Sequence, residues 1–169
     1  VLQSRGLGDV YKRQNINLPQ KLKINKFSSD ILNQKWDLIV IAVSSIGIDL
    51  IGKNLSKIKN KSPILVLTKG LKLDGRNLIS MSSLLKKYNK NLNISVLKGP
   101  CLAKELAKKV KSFTVVANKN INTAKKIGKL ISTNYYQTEF SRDVNGVEFL
   151  SAIKNIYSMI IGACLLYTS

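Results

Sequence analysis

The sequence predicts an α/β chain: a partial parallel sheet with flanking helices, followed by the first helix of an all-α domain. Short, near-continuous apolar runs rich in Val, Ile and Leu recur, as in parallel strands buried on both faces. Between them lie segments whose apolar residues fall at helical spacing. Near residue 141 the alternation stops and a longer, mostly apolar helical segment begins. Alternating strands and helices imply right-handed crossovers and a parallel sheet.

Taken in order, residues 36–43 (WDLIVIAV) read as the first buried strand, and residues 46–58 place Ile48, Ile51, Leu55 and Ile58 on one helical face. Residues 63–67 (PILVL) are the second strand. Asp74-Gly75 is expected to open a helix carrying Leu78, Met81, Leu84, Leu85 and Tyr88. Residues 94–97 are the third strand. Pro100 then starts a short helix through Lys109, since proline suits a first turn. Residues 112–117 (SFTVVA) are the fourth strand, 123–131 a helix and 135–140 an edge strand. From Asp143 a longer helix runs through Glu148, Leu150, Ile153, Ile156 and Ile160. Residues 15–141 therefore form a partial α/β domain, and 142–163 begin a helical one. The ends, 1–14 and 164–169, have no such period and resemble translated sequencing-adapter read-through, so they are set aside as foreign. Gly6-Leu7-Gly8 is not a dinucleotide loop, because Tyr11 stands where the third glycine belongs and no strand precedes it.

The chain has 169 residues, 44% of them hydrophobic, enough for a packed core and against disorder. No apolar run is expected to span a membrane, because Glu148 and Lys154 interrupt the longest one; no signal peptide is expected either. Two cysteines, Cys101 and Cys164, make no disulfide framework and fit a reducing cytoplasm. A net charge of +19 raises the possibility of nucleic-acid binding, but only Arg5, Arg13, Arg76 and Arg142 among the 28 basic residues are arginine. The lysines are dispersed through every segment, which reads as a solvated surface and not a nucleic-acid stripe. Histidine is absent, so no metal site is expected and lysine, carboxylate, Cys or Tyr must move protons.

Ligands of open parallel sheets bind beyond the C-terminal strand ends. Those ends carry Ser44-Ser45, then Thr68-Lys69-Gly70, then Lys98-Gly99-Pro100-Cys101. Small residues admit a ligand to the backbone, and Lys69 supplies a cation for a phosphate or developing alkoxide. Singly, each pair is also ordinary turn chemistry. Lys154 sits among apolar residues of the last helix. By spacing alone it is either a desolvated, proton-transferring amine or a lysine snorkelling to solvent. Cys101 is a reactive thiolate or, with no histidine to pair with, a packed or substrate-touching thiol.

Four segments in this order and spacing, WDLIVIAVSS, LTKGL, LKGPCLAKELA and DVNGVEFLSAIKNI, resemble the NAD(P)-dependent glycerol-3-phosphate dehydrogenase family over about residues 15–163. The resemblance implies a partial Rossmann-like NAD(P)-binding domain at 15–141 and the start of a helical substrate domain at 142–163. It implies NAD or NADP as cofactor and a small phosphorylated substrate: glycerol 3-phosphate interconverting with dihydroxyacetone phosphate, for phospholipid synthesis in the cytoplasm. Carried over by position, Lys154 is the catalytic lysine and touches substrate, and Lys69 touches substrate and cofactor. Gly99 and Cys101 contact substrate, Ser44, Ser45 and Ala103 contact cofactor, and Asn155 helps to orient the base. Three residues depart from the pattern: Ser44 for a usual Pro, Lys98 for a usual Ser, adding charge near an anionic substrate, and Cys101 for a usual Ser or Thr. The glycine loop with its strand and most of the helical domain are absent, so this piece alone is expected to be inactive. A homodimeric parent is compatible with the resemblance; membrane insertion and nucleic-acid binding are not expected. Two alternatives stand beside it: a related β-hydroxyacid or ketopantoate-type dehydrogenase, and a basic nucleic-acid-binding module.

Overall fold

The computed structural model describes residues 21–23, 25–58 and 61–168. The expected foreign segment 1–14 and the first residues of the expected α/β domain, 15–20, lie outside the described residues.

The elements in chain order are α1 (Ser29–Asn33), β1 (Ile39–Ile41), a 3₁₀ turn (Ser45–Gly47), α2 (Ile48–Leu55), β2 (Ile64–Val66), β3 (Leu71–Asp74), β4 (Asn77–Ser80), α3 (Met81–Tyr88), β5 (Ile94–Lys98), α4 (Ala103–Ala107), β6 (Ser112–Ala117), α5 (Ile121–Ile131), β7 (Tyr136–Ser141) and α6 (Val144–Thr168). Five strands form one sheet in the order β1-β2-β5-β6-β7. Its core follows from strand alternation, in which successive side chains point to opposite faces. On β2, Ile64 and Val66 join a cluster with Ile48 and Leu55 of α2 and Met81 and Leu85 of α3. Leu65, between them, packs on the other face with Val116, Ala124 and Ile127. Ile48 and Leu55 are fully buried, and each such side chain contributes about 1.5–3 kcal/mol relative to exposure.

The expected α/β architecture with a following long helix is present, with four local corrections. The first strand is short and lies at the sheet edge, so Val40 is half exposed and the run is not buried on both faces. Asp74-Gly75 opens no helix. It makes the turn of the β3–β4 hairpin, where Asp74 pairs with Asn77 and Gly75 adopts φ +61°. An Asp-Gly pair supplies the positive φ that a tight hairpin demands. The helix starts later, at Met81, where the Ser80 hydroxyl accepts from the Ser83 N–H at 3.3 Å. Lys72 donates to Asp49, and the Tyr88 hydroxyl donates to the other oxygen of that carboxylate at 2.8 Å, tying hairpin and α3 to α2.

The third correction concerns strand direction. β1, β2 and β5 are parallel, but β6 runs antiparallel to β5, with Lys98 opposite Val115. Between them, α4 covers only Ala103–Ala107, beginning after Pro100 and not at it. Returning a chain to the opposite margin takes a crossover whose helix spans the strand, and the five residues of α4 rise only about 7.5 Å. This connection instead ends in a turn at Lys109 (φ +57°) and stays at one margin. The full-length helix α5 then allows β7 to lie parallel to β6.

The last correction is to α6. Its segment Val144–Leu165 is long and apolar enough to cross a membrane by length and composition, charges included, and little of it is buried. Its first turns pack on the sheet through Val144 and Val147. Further along, Ile156, Met159 and Ile161 are exposed. The helix continues through the 164–168 stretch.

Candidate active site

The C-terminal ends of β1, β2 and β5 share one margin, as expected from their common direction. Hydrogen bonds join them. The Leu67 N–H donates to the Ile41 carbonyl at 2.9 Å, and the Thr68 hydroxyl to the Val43 carbonyl at 2.7 Å. Beyond β2 the chain turns at Gly70 (φ +132°), where an added Cβ would come within 3.3 Å of Ser45. The Ser44-Ser45 turn therefore lies directly against the loop that carries Lys69.

An open cleft of about 560 Å³ lies between that loop and α6, lined by Lys69, Gly70 and Leu71 on one side and residues 151–156 on the other. Lys69 and Lys154 meet across it. Although Lys69 is exposed overall, partial burial first, then the charge and close contact of Lys154, hold its ammonium below the ordinary lysine range, while Cys101 pulls it partly back. Lys154 itself is exposed, not buried as a desolvated amine would be. The reason is the partial cover of α6, which packs through its first turns only. Asn155 lines the same cleft. So does Ser151, whose buried hydroxyl has no hydrogen-bond partner among the described residues.

The other expected residues are distributed less uniformly. Cys101 is half buried and within electrostatic reach of Lys69. Ser44 and Ser45 bound the neighbouring turn. Ala103 is exposed at the start of α4. Gly99 lies outside the cleft lining. An added Cβ there would sit 2.8 Å from the Phe113 carbonyl oxygen and from Thr114 Cα, so close strand packing already accounts for a glycine at this position. Lys98 does not put its charge toward an incoming anion. It is 5% exposed, and its ammonium donates to the carbonyls of Leu67 (3.2 Å) and Thr68. Burial brings it down to about 8; Glu148 pulls upward and Lys69 pushes further down. Glu148, 2% exposed, is held by the Ser82 N–H (3.2 Å) and the Ser82 hydroxyl. A carboxylate in an apolar helical run was the available signal for a buried partner; its position in the sequence could not say which.

The lowered proton affinity of Lys98 couples folding to pH. Between about 8 and 10.5 the unfolded chain holds a proton that the folded chain has released. Stability is therefore expected to rise with pH across that window, by up to about 3 kcal/mol. Urea unfolding of the chain at pH 7.5 and pH 10, with Lys98→Met as the comparison that flattens the rise, checks it.

The family model described as NAD-dependent glycerol-3-phosphate dehydrogenase N-terminus matches residues 9–124. The chain belongs to this family. A glycerol-3-phosphate dehydrogenase [NAD(P)+] from Leptospira biflexa is 34% identical over 149 residues, covering 86% of this chain and 44% of the relative. One from Clostridium botulinum (strain Eklund 17B) is 34% identical over 132 residues, covering 76% of this chain and 38% of the relative. The chain thus spans less than half the length of these curated relatives. Among solved structures, the glycerol-3-phosphate dehydrogenase of Coxiella burnetii superposes with a TM-score of 0.74 at 24% identity, covering 84% of this chain and 43% of that one. That of Dunaliella salina gives 0.75 at 22%, covering 84% and 24%. These last two establish the shared fold. Together the comparisons favour the glycerol-3-phosphate dehydrogenase family over the β-hydroxyacid, ketopantoate-type and nucleic-acid-binding alternatives.

Proposed function

We propose that this chain supplies the catalytic rim of an sn-glycerol-3-phosphate dehydrogenase, with residues 15–141 as part of the NAD(P)-binding domain and 142–163 as the start of the helical substrate domain. The observation that carries the reading is the pairing of Lys69 and Lys154 across one cleft at the strand ends. Two adjacent amines suit a phosphorylated alcohol: one stays cationic against the anion while the other exchanges a proton.

In this reading Lys154 takes the hydroxyl proton as the substrate carbon gives up hydride, and returns it in the reverse direction. Lys69 faces both the substrate oxygen and the cofactor side of the cleft. Cys101 borders the substrate, with Gly99 beside it at the end of β5, just outside the cleft lining; Asn155 steadies Lys154. The Ser151 hydroxyl, buried without a partner, and the small Ser44-Ser45 and Gly70 turns, which leave backbone accessible, fit a nucleotide cofactor and polar substrate. NAD or NADP, when bound, supplies the hydride acceptor, with Ser44, Ser45, Lys69 and Ala103 on its side. The exposed apolar face of α6 suits packing within a larger helical domain, and we assign the whole protein to the cytoplasm.

The enzyme completed to the length of its relatives is expected to oxidise NADH or NADPH with dihydroxyacetone phosphate, read as loss of absorbance of the reduced nicotinamide. The 169-residue chain alone is expected to show no turnover. A completed enzyme that binds the nucleotide yet leaves dihydroxyacetone phosphate unreduced would sink the proposal.

A further inference from the structure

Lys98 closes β5 beneath the floor of the two-lysine cleft, and nothing in the proposed chemistry uses it. Its ammonium reaches sideways to the carbonyls of Leu67 and Thr68, the last two before Lys69 and the positive-φ turn at Gly70. Buried carbonyls at a strand end require donors, and an ammonium offers three protons where a serine hydroxyl offers one. The charged groups that face it are Glu148 from α6 and Lys69 from the loop above. Glu148 is in turn fixed to the first turn of α3 by Ser82. One buried cation therefore touches the loop presenting Lys69 and faces the helix presenting Lys154.

We propose that Lys98 is a positioning residue: it clamps the strand-end loop of Lys69 to β5, with Glu148 as counter-charge on α6, and so sets the approach of Lys69 to Lys154. The inference rests on the two-lysine cleft being the reaction site. Lys98 acts through Lys69 and touches no reactant. Lys69 is exposed beside Lys154; loosening the clamp lets it swing away from that neighbour, and its proton affinity then rises toward that of an ordinary lysine.

Competitive acetylation of the full chain with peptide mass spectrometry reads this without turnover, following Lys69 against exposed lysines such as Lys125. In the unsubstituted chain Lys69 is expected to react at pH 8 as an amine held below the ordinary lysine range, ahead of those exposed lysines. In Lys98→Met it is expected to rejoin them, its relative reactivity at pH 8 falling about tenfold for each pH unit regained. Lys98→Arg, which keeps a cation able to donate to both carbonyls, is expected to retain the low titration. Loss of the Lys98 charge raises Lys69 directly in any neutral variant, so Lys98→Gln, a neutral donor, separates the two effects: the clamp expects it to move Lys69 less than Lys98→Met does, and equal movement in two folded variants overturns it. A folded Met or Gln variant whose Lys69 titrates as in the unsubstituted chain overturns the clamp. Because the readout involves no substrate, an inactive completed enzyme would count against the proposed reaction and not against this device.

Discussion

Lys154→Met, introduced into the enzyme completed to the length of its relatives, is expected to lower kcat by about 10²–10⁴ while KM changes little. The side chain is exposed on α6 and outside the buried clusters. Methionine matches its length and is a good helix former, so the helix should keep its shape and its approach to Lys69. What disappears is the amine that, in the proposed reaction, exchanges the hydroxyl proton. Loss of an interaction made only in the transition state lowers kcat and kcat/KM together. Lys69→Met is expected to differ by raising KM as well, because its cation also meets the bound anion. Steady-state kinetics on both variants, with circular dichroism as the folding control, decide the matter. A Lys154→Met enzyme that lost only affinity would reassign that lysine to binding.

Gly99→Ala is expected to destabilise the chain by about 3 kcal/mol or more, through backbone strain and overpacking together. The residue has φ +159°, and its added methyl would press on the β6 backbone at 2.8 Å. A peptide carbonyl cannot rotate away as a flexible side chain can. Gly75→Ala is the natural comparison: φ is +61° and nothing lies within 4 Å. That substitution should cost only the left-handed backbone penalty, about 1–2 kcal/mol. Urea denaturation of the two variants side by side separates clash from conformation, and equal losses would remove the close-approach explanation.

These contrasts show what could and could not be read from residue order. β6 is legible to the residue, because SFTVVA is short, β-rich and bounded by polar turns. The three strand-end segments also fall on one margin, since the direction of β1, β2 and β5 follows from the helices between them. The hairpin is hidden in the sequence for a specific reason. Leu78 continues the helical spacing of Met81 and Leu85, and that period masked the Asp-Gly turn signal. Reversal of β6 follows from the shortness of α4, which the residue pattern extends to Lys109 and the fold ends at Ala107. The site was half legible. Lys69 and Lys154 could be named, but the burial of Lys98 and the exposure of Lys154 depend on which elements cover them, a tertiary property. Ser151 gave no signal at all, being an ordinary small residue on a helix.

Among the described strands, the inversion between β5 and β6 sets how the Lys154 amine arrives. Because β6 and β7 both descend, Ser141 ends at the margin opposite the cleft, where its carbonyl accepts from the Asn118 N–H at 3.1 Å. From there α6 must climb. The ten residues from Val144 to Lys154 rise about 15 Å, close to the height of a typical strand at about 17–20 Å. On the way up, Glu148 passes Ser82 before Lys154 emerges beside Lys69. Were all five strands to point the same way, the chain would leave β7 already at the cleft, and a helix of this length would carry its lysine past the chemistry into solvent. The parity of strand directions is thus what sets the altitude of the amine.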